Sequence, residues 1–177
     1  MLFSQGHDRG SRKNKFLLRN RAAGLRIPDI LKHTATLGPI GYLPVAPGTF
    51  GTIVCVIFLF IVRPSGTVLL LLIPAFAVLG TISSHFAEIS FGEKDSHHIV
   101  IDEFTGFLVS MLFLDISILN LMLAFIFFRF FDILKPPPVR SFETLFKGGT
   151  GVMMDDIMAG IYANITVRLC NLLIKTL

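Results

Sequence analysis

Residues 116–138, ISILNLMLAFIFFRFFDILKPPP, show most clearly which type of fold the chain adopts. Residues 116–131 are rich in Leu and Phe and lack the period-two alternation of a half-buried strand, so they predict a helix. The run closes on Asp132 and Lys135, and three prolines then prevent the helix from continuing. This part of the chain therefore predicts an apolar helix with an acid and a lysine at its C-terminal end.

Four further apolar segments share this character and are separated by Gly and Pro residues. They cover residues 52–62, 67–82, 104–114 and 157–173. The chain is 53% hydrophobic and 16% charged, whereas soluble domains contain about 45–50% and 25%. Its mean hydropathy is +0.71. These values exclude an ordinary polar-surfaced domain and predict an all-α protein, a compact helical bundle that is partly or fully embedded in a membrane.

Basic residues are concentrated at the N-terminus, since eight of the 16 Lys and Arg lie at or before Lys32. We interpret residues 1–34 as a basic arm and 35–177 as a single helical domain. The arm is typical of a positive-inside tail on the cytoplasmic side of a membrane. It could also lie on an anionic leaflet. Nucleic acid is a weaker alternative, and we expect no nucleic-acid partner.

Three polar stretches, residues 37–51, 84–103 and 129–156, hold most of the chemically interesting residues and are expected to contain loops and helix ends. If Asp115 marks a turn, the segments on either side of it form a hairpin, and all three stretches face the side of the basic arm. If 104–131 is one long helix, the third stretch lies outside. The positive-inside rule favours the version with the turn.

Seven of the 12 acidic residues lie within or against apolar segments, where an ionisable group costs about 2.5–3.5 kcal/mol on insertion scales. They are Glu88, Asp102, Glu103, Asp115, Asp132, Asp155 and Asp156. Helix capping by Asp115 and a solvated helix face for Glu88 are sufficient explanations for those two. The other five lie at predicted helix ends without matching basic residues nearby. Clustered carboxylates repel unless a cation neutralises them, and oxygen-only ligands suit Mg²⁺ or Mn²⁺.

Glycine-rich approaches to helix N-termini are a second ingredient, because backbone N–H groups there can bind phosphate. They occur at residues 38–41, 43–52 and 147–151, and none is a Walker motif. The expected phosphate contacts are Pro47, Gly48, Thr49, Gly149 and the proline-flanked Lys135. Carboxylates, a cation, a phosphate and a membrane together predict phosphoryl chemistry on a lipid. Sequence motifs of the covalent phosphatase routes are missing, and His98 is at most a proton donor.

Four motifs in order carry a family resemblance. They are PVAPGTFGT at 44–52, VIDEFTG at 100–106, FRFFDILKPPPVR at 128–140 and GGTGVMMDDIMAG at 148–160. Together they resemble phosphatidylglycerophosphatase A, a membrane lipid phosphatase of bacteria. The resemblance implies a helical bundle, Mg²⁺ dependence, and hydrolysis of phosphatidylglycerophosphate to phosphatidylglycerol and inorganic phosphate during phospholipid biosynthesis. It also implies a bacterial inner-membrane location with the active site facing the cytoplasm.

Carried over by motif, the catalytic and metal-binding acids are Asp102, Glu103, Asp132, Asp155 and Asp156, with Thr49 and Lys135 nearest the phosphate. We expect one or two Mg²⁺ ions to activate a water for attack on phosphorus. One aspartate of the 155–156 doublet is the expected base. A divalent-cation transporter or channel subunit is the alternative, although only Asp115, Asn120 and Asn164 offer polar groups elsewhere in the bundle. The oligomeric state stays open.

Overall fold

The computed structural model describes residues 27–94, 96–137 and 149–176, and these ranges contain six α-helices and no strand. The helices are α1 (Ile27–Ala35), α2 (Pro47–Val62), α3 (Gly66–Phe91), α4 (Ile101–Ser110), α5 (Ile118–Leu134) and α6 (Gly149–Thr176), with a 3₁₀ turn at Ile40–Tyr42. The predicted all-helical class is confirmed. Most of the basic arm and the segment 138–148 lie outside the described residues.

The predicted breaks between helices are present. Arg63 ends α2 in a left-handed conformation with φ 47°, and the Ser65 side chain accepts a hydrogen bond from Val68 N at 3.3 Å to cap α3. The turn at residues 111–117 separates α4 from α5, as expected if Asp115 marks a turn. The expectation that Asp115 caps α5 is wrong, because the Ser117 side chain accepts the bond from Asn120 N.

Helix α4 is the centre of the bundle, and nine of its ten residues are buried. It packs against α2, α3, α5 and α6. Two glycines permit its close crossing with α6. A Cβ on Gly106 would lie 2.5 Å from the Asp156 carbonyl oxygen, and one on Gly160 would lie 3.0 Å from Val109 Cβ. The crossing therefore holds the N-terminal half of α4 directly against the part of α6 that carries Asp156.

Helix α5 runs antiparallel to α6. Asn171 Nδ2 donates to Asn120 Oδ1 at 2.9 Å near one end, and the rings of Phe131 and Tyr162 lie 5.6 Å apart nearer the other. This direction brings the C-terminal end of α5, with Asp132, towards the level of α6 that carries Asp156.

Helices α3 and α6 extend furthest into the predicted polar stretches. Helix α6 starts at Gly149, so the 155–156 doublet lies about two turns inside the helix and does not open it. Helix α3 continues to Phe91 because Ser83, Ser84 and Ala87 are fully buried in the packing of its C-terminal half. Glu88 is buried there as well, so the expectation of a solvated face for it is wrong.

The outer faces of four helices expose many large apolar side chains. Ile61 of α2, Leu71 of α3, Ile118 of α5 and Leu173 of α6 are each 64–73% exposed. Within the described ranges, α3 with 26 residues and α6 with 28 residues are long and apolar enough to cross a bilayer. Extended apolar surface of this kind marks contact with a membrane or with other protein.

The C-terminal end of α4 depends on side chains from α6. Asn164 Nδ2 donates to the carbonyls of Ser110 and Leu112 at 2.9 and 3.0 Å, and Arg168 Nη2 donates to Leu112 O at 2.8 Å. We expect Asn164→Ala to lower the free energy of unfolding by about 1–3 kcal/mol, because carbonyls at a partly buried helix end lose their donor. Denaturation in detergent would measure this effect.

Thr166→Ala is the matched control on the same helix, since among the described residues the Thr166 hydroxyl bonds only to the Tyr162 carbonyl four residues earlier. Its unfolding free energy should stay within about 0.5 kcal/mol of the unmutated protein. Equal stability of the two variants would show that the Asn164 bonds do not hold α4 in place.

Candidate active site

Three acidic side chains meet where α4 crosses α6. Asp102 and Glu103 come from the first turn of α4, and Asp156 comes from α6. One carboxylate oxygen from each lies within 4.8 Å of the other two. Asp102 and Asp156 are only 4% and 5% exposed, and Glu103 is half-buried. We refer to Asp102, Glu103 and Asp156 as the acidic cluster.

One buried carboxylate oxygen of the acidic cluster lacks a hydrogen-bond partner, which fits a site for a divalent cation. Asp102 Oδ1 accepts a bond from Glu103 N at 3.1 Å, but Glu103 Oε2 is buried without a hydrogen-bond partner. A buried, unpartnered carboxylate oxygen is costly, and so is the mutual repulsion of three acids. An oxygen-only donor set with several carboxylates suits Mg²⁺ or Mn²⁺. The residues present therefore fit the cation that the sequence predicted.

Asp132 lies beside the acidic cluster, in the last turn of α5. Its side chain is within hydrogen-bonding distance of Asp156, and its Oδ2 lies 2.7 Å from Arg129 Nη1. The expectation that no basic residue lies near these acids is wrong, because Arg129 pairs with Asp132. The i, i+3 spacing of Arg129 and Asp132 on one helix was the signal that could have identified it.

Asp155 faces a different partner from its neighbour Asp156. Its Oδ2 lies 3.0 Å from Lys135 Nζ, and the Asp155 side chain is 5% exposed. Lys135 ends α5 in a left-handed conformation with φ 44°, while its backbone N–H donates to Phe131 O. Lys135 is thus a second basic residue paired with one of the five acids. Of the five predicted acids, three form the acidic cluster, Asp132 lies beside it, and Asp155 forms an ion pair with Lys135.

The start of α2 closes the cluster from another side. Gly48 lies directly against Glu103, so closely that a Cβ on this glycine would overlap the Glu103 carboxylate. Pro47 is the first residue of α2, and Thr49 is half-buried in the same turn. The positive end of the α2 dipole is therefore directed at the acids, which is favourable for anions.

Two other candidate residues lie elsewhere. Gly149 packs against α3, where a Cβ would lie 2.7 Å from Thr81 O, and it is seven residues or about 10 Å along α6 from Asp156. The structure does not bring Gly149 to the acidic cluster. His98 Nδ1 lies 2.6 Å from the Gly41 carbonyl, and its ring stacks near Tyr42. These contacts tie His98 to the 3₁₀ turn.

Burial raises the pKa of the Glu103 carboxyl well above its ordinary value of 4.5, and the nearby charge and hydrogen bond of Asp102 raise it further. A carboxyl whose pKa is higher folded than unfolded stabilises the fold at low pH. That contribution disappears as pH rises from about 4.5 through the raised pKa. In chelator, we expect the midpoint of thermal unfolding to rise when pH is lowered from 8 towards 5.

The control for this pH dependence is Glu103→Gln, which has no charge to titrate and should make the profile in chelator shallower. Thermal unfolding in detergent at several pH values measures both proteins. Superimposable profiles for the two proteins would contradict the assignment of the effect to Glu103.

Fold and site together define a helical protein with an apolar surface and an acidic centre that suits a cation, where the ends of α2, α4 and α5 meet α6. The family model for phosphatidylglycerophosphatase A matches residues 33–171. The chain belongs to the phosphatidylglycerophosphatase A family and is a phosphatase. The family resemblance read from the four motifs is thereby confirmed.

Three relatives illustrate this membership. The chain is 38% identical to a phosphatidylglycerophosphatase A of Haemophilus influenzae over 152 residues, covering 77% of the chain and 91% of the relative. It is 32% identical to the Escherichia coli phosphatidylglycerophosphatase A over 123 residues, covering 68% and 72%. A Bacteroides thetaiotaomicron protein with the provisional name phosphatidylinositol-3-phosphatase is 38% identical over 141 residues, covering 74% and 87%. No solved structure matches the chain.

Proposed function

We propose that this protein is a Mg²⁺-dependent phosphatase that hydrolyses the terminal phosphomonoester of phosphatidylglycerophosphate, yielding phosphatidylglycerol and inorganic phosphate in bacterial phospholipid biosynthesis. The observation that carries the proposal is the acidic cluster against the N-terminus of α2 in a chain of this family. Two of the three relatives are named for this substrate and the third for another phospholipid monoester. A lipid phosphomonoester is common to all three names.

Asp102, Glu103 and Asp156 would hold the cation, because their oxygens converge and Glu103 Oε2 has no other partner. A bound Mg²⁺ supplies charge neutralisation at the phosphate and activation of the attacking water. Removing any of these three carboxylates would leave too few charged ligands around the ion.

Lys135 and the start of α2 would orient the phosphate. The Lys135 side chain is 32% exposed, so it can reach an incoming ligand, while its ion pair with Asp155 fixes the ammonium group. The α2 N-terminus with Thr49 presents a positive dipole end beside the same acids. Together they provide positive charge at the phosphate oxygens, where charge stabilisation accelerates phosphoryl transfer.

Asp132 is the best candidate for the base that accepts the proton of the attacking water. It lies outside the acidic cluster but within hydrogen-bonding distance of Asp156. Arg129 holds its Oδ2. Asp155 is less suited to this role because its side chain faces Lys135 and is only 5% exposed, against 15% for Asp132. This assignment replaces the expectation that the base comes from the 155–156 doublet.

The distribution of apolar surface supports a location at the membrane interface. The exposed apolar residues of α6 follow Asp156, and those of α5 precede Asp132 except for Ile133 and Leu134. The acids would then lie at headgroup depth while the helices continue into the hydrocarbon. The basic N-terminal arm favours the cytoplasmic face of the inner membrane.

The arrangement of the other polar residues weakens the cation-transport alternative. Asn164 is engaged with the carbonyls at the end of α4, and Asn120 pairs with Asn171. Asp115 is exposed in the turn between α4 and α5. These groups hold helices together, and transport would need them to line a path across the bundle.

The test is phosphate release from phosphatidylglycerophosphate, phosphatidic acid and phosphatidylinositol 3-phosphate in mixed micelles, with Mg²⁺ or with chelator. We expect phosphatidylglycerophosphate to be preferred by about tenfold or more. Chelator should reduce the rate by about a hundredfold, and Mg²⁺ should restore it. Preference for the inositol lipid would overturn the headgroup assignment, and full activity in chelator would overturn the metal assignment.

A further inference from the structure

An apolar groove of about 400 Å³ lies between α2 and α5. Its volume is in the range of small-molecule binding sites. Ile53, Val56 and Phe60 of α2 line it on one side, and Leu121, Met122 and Ile126 of α5 on the other. Leu121 is the buried floor at 4% exposure, whereas Met122 and Ile126 at the rim are more than half exposed. Its lining residues are all hydrophobic.

The two helices that form the groove also carry residues of the candidate active site. Ile53 lies five residues beyond Gly48, and Ile126 lies six residues before Asp132. At 1.5 Å per residue, the near end of the groove is about 8–9 Å from the site along each helix. From there to Phe60 the groove runs about 10 Å further along α2, away from the acids.

We propose that this groove holds one acyl chain of the phospholipid substrate, an inference that rests on the proposed function. When the terminal phosphate of phosphatidylglycerophosphate is at the acidic cluster, the headgroup glycerol and the phosphodiester separate it from the diacylglycerol. The acyl chains therefore begin about one headgroup length from the acids and run along the helices. The groove begins at that distance and lacks charged residues, so hydrocarbon is the chemistry that fits it.

The groove would orient the lipid substrate more than it would raise the affinity of the protein for it. An acyl chain in the bilayer is already in an apolar environment, so moving it into the groove yields little hydrophobic free energy. Fixing one chain restricts the tilt of the glycerol backbone, which places the phosphate relative to the acids. Blocking the groove should therefore lower kcat/KM for long-chain lipid and leave a short-chain analogue almost unaffected.

Val56→Trp and Met122→Trp fill the groove, and Leu169→Trp adds the same side chain to an exposed apolar position on α6 outside it. For long-chain phosphatidylglycerophosphate, we expect kcat/KM of the two groove variants to fall about tenfold. For the dibutanoyl analogue, all three variants should stay within about twofold of the unmutated protein. The proposal would be overturned if kcat/KM of the groove variants fell equally on the long-chain lipid and on the dibutanoyl analogue. It would also be overturned if the groove variants kept the same kcat/KM as Leu169→Trp on the long-chain lipid.

Photolabelling with phosphatidylglycerol that carries a diazirine in one acyl chain gives a readout independent of turnover. We expect labelled peptides from 53–60 and 118–126 to exceed those from the exposed face of α6, and Val56→Trp to remove the excess. Equal labelling of all apolar faces would overturn the groove assignment. A change of oligomeric state in Val56→Trp would also overturn it, because it would indicate that a second copy of the chain occupies the groove. If the unmutated protein releases no phosphate from any lipid, the proposed function fails, whatever the labelling pattern.

Discussion

Asp156→Asn is expected to lower phosphate release by about three orders of magnitude while the protein stays folded. Asp156 supplies one of the three converging oxygens of the acidic cluster and is 5% exposed. Asparagine keeps the shape and one oxygen but removes the charge on which a Mg²⁺ site depends. The rate of phosphate release from phosphatidylglycerophosphate, measured at saturating Mg²⁺, tests this directly.

Thermal unfolding gives Asp156→Asn a second measurement that does not depend on turnover. Mg²⁺ at a hundred times its dissociation constant stabilises a protein that binds it only when folded by about 2.7 kcal/mol. The unmutated protein should show this stabilisation and the variant should lose most of it. In chelator the variant should be the more stable of the two, because one of the mutually repelling carboxylates has become neutral.

Asp115→Asn is the matched control, since Asp115 is exposed in the turn that follows α4. It should retain the rate and the Mg²⁺ response of the unmutated protein. If Asp156→Asn is active and keeps its Mg²⁺ response, Asp156 is not a ligand of the cation. Asp102 and Glu103 alone would then be too few ligands for the proposed site.

The doublet at 155–156 shows what the sequence could have predicted but did not. Successive residues on an α-helix are rotated by about 100°, so two adjacent aspartates inside a helix point in different directions. Adjacent acids can still share a site, as Asp102 and Glu103 do at the first turn of α4, but helical geometry favours different partners for the two aspartates. The close crossing of α4 and α6 at Gly106 and Gly160 brings Asp156 to the acidic cluster.

Helix boundaries were less predictable than helix identity. Runs of Leu and Phe predicted the helices, because a long apolar run without period-two alternation is not typical of a strand or a loop. Hydropathy identifies apolar residues only. It therefore did not predict the C-terminal part of α3 and the N-terminal part of α6, where small or polar residues are buried by packing. Ser83 and Ser84 are fully buried in α3, and Gly149 packs against that part of α3 at the start of α6. Nothing local in the sequence distinguishes such positions from a loop.

The contact between Gly48 and Glu103 depends on tertiary structure in the same way, and it leads to a second large expected effect. Gly48→Ala should reduce phosphate release by about a hundredfold, because the new methyl group would occupy the space of the Glu103 carboxylate. Alanine itself favours helix, so α2 should still form. The cost is overpacking at one site, about 1–3 kcal/mol of unfolding free energy.

Gly92→Ala separates loss of stability from loss of the site. Gly92 has φ 71° and open space around its Cα, so alanine there is strained but touches nothing. It should lose about 1–2 kcal/mol of stability and keep the rate of the unmutated protein. If Gly48→Ala is as active as Gly92→Ala at similar stability, the position of the Glu103 carboxylate does not matter for the reaction.

Combining Gly48→Ala with Glu103→Asp provides the sharpest form of this test. Aspartate is one methylene shorter, so its carboxylate is drawn back from the added methyl group. The double variant should be about tenfold more active than Gly48→Ala alone, although Glu103→Asp by itself lowers the rate. Non-additivity of this sign is the signature of direct contact between two positions. Additive losses would mean that the glycine acts on the reaction through something other than Glu103.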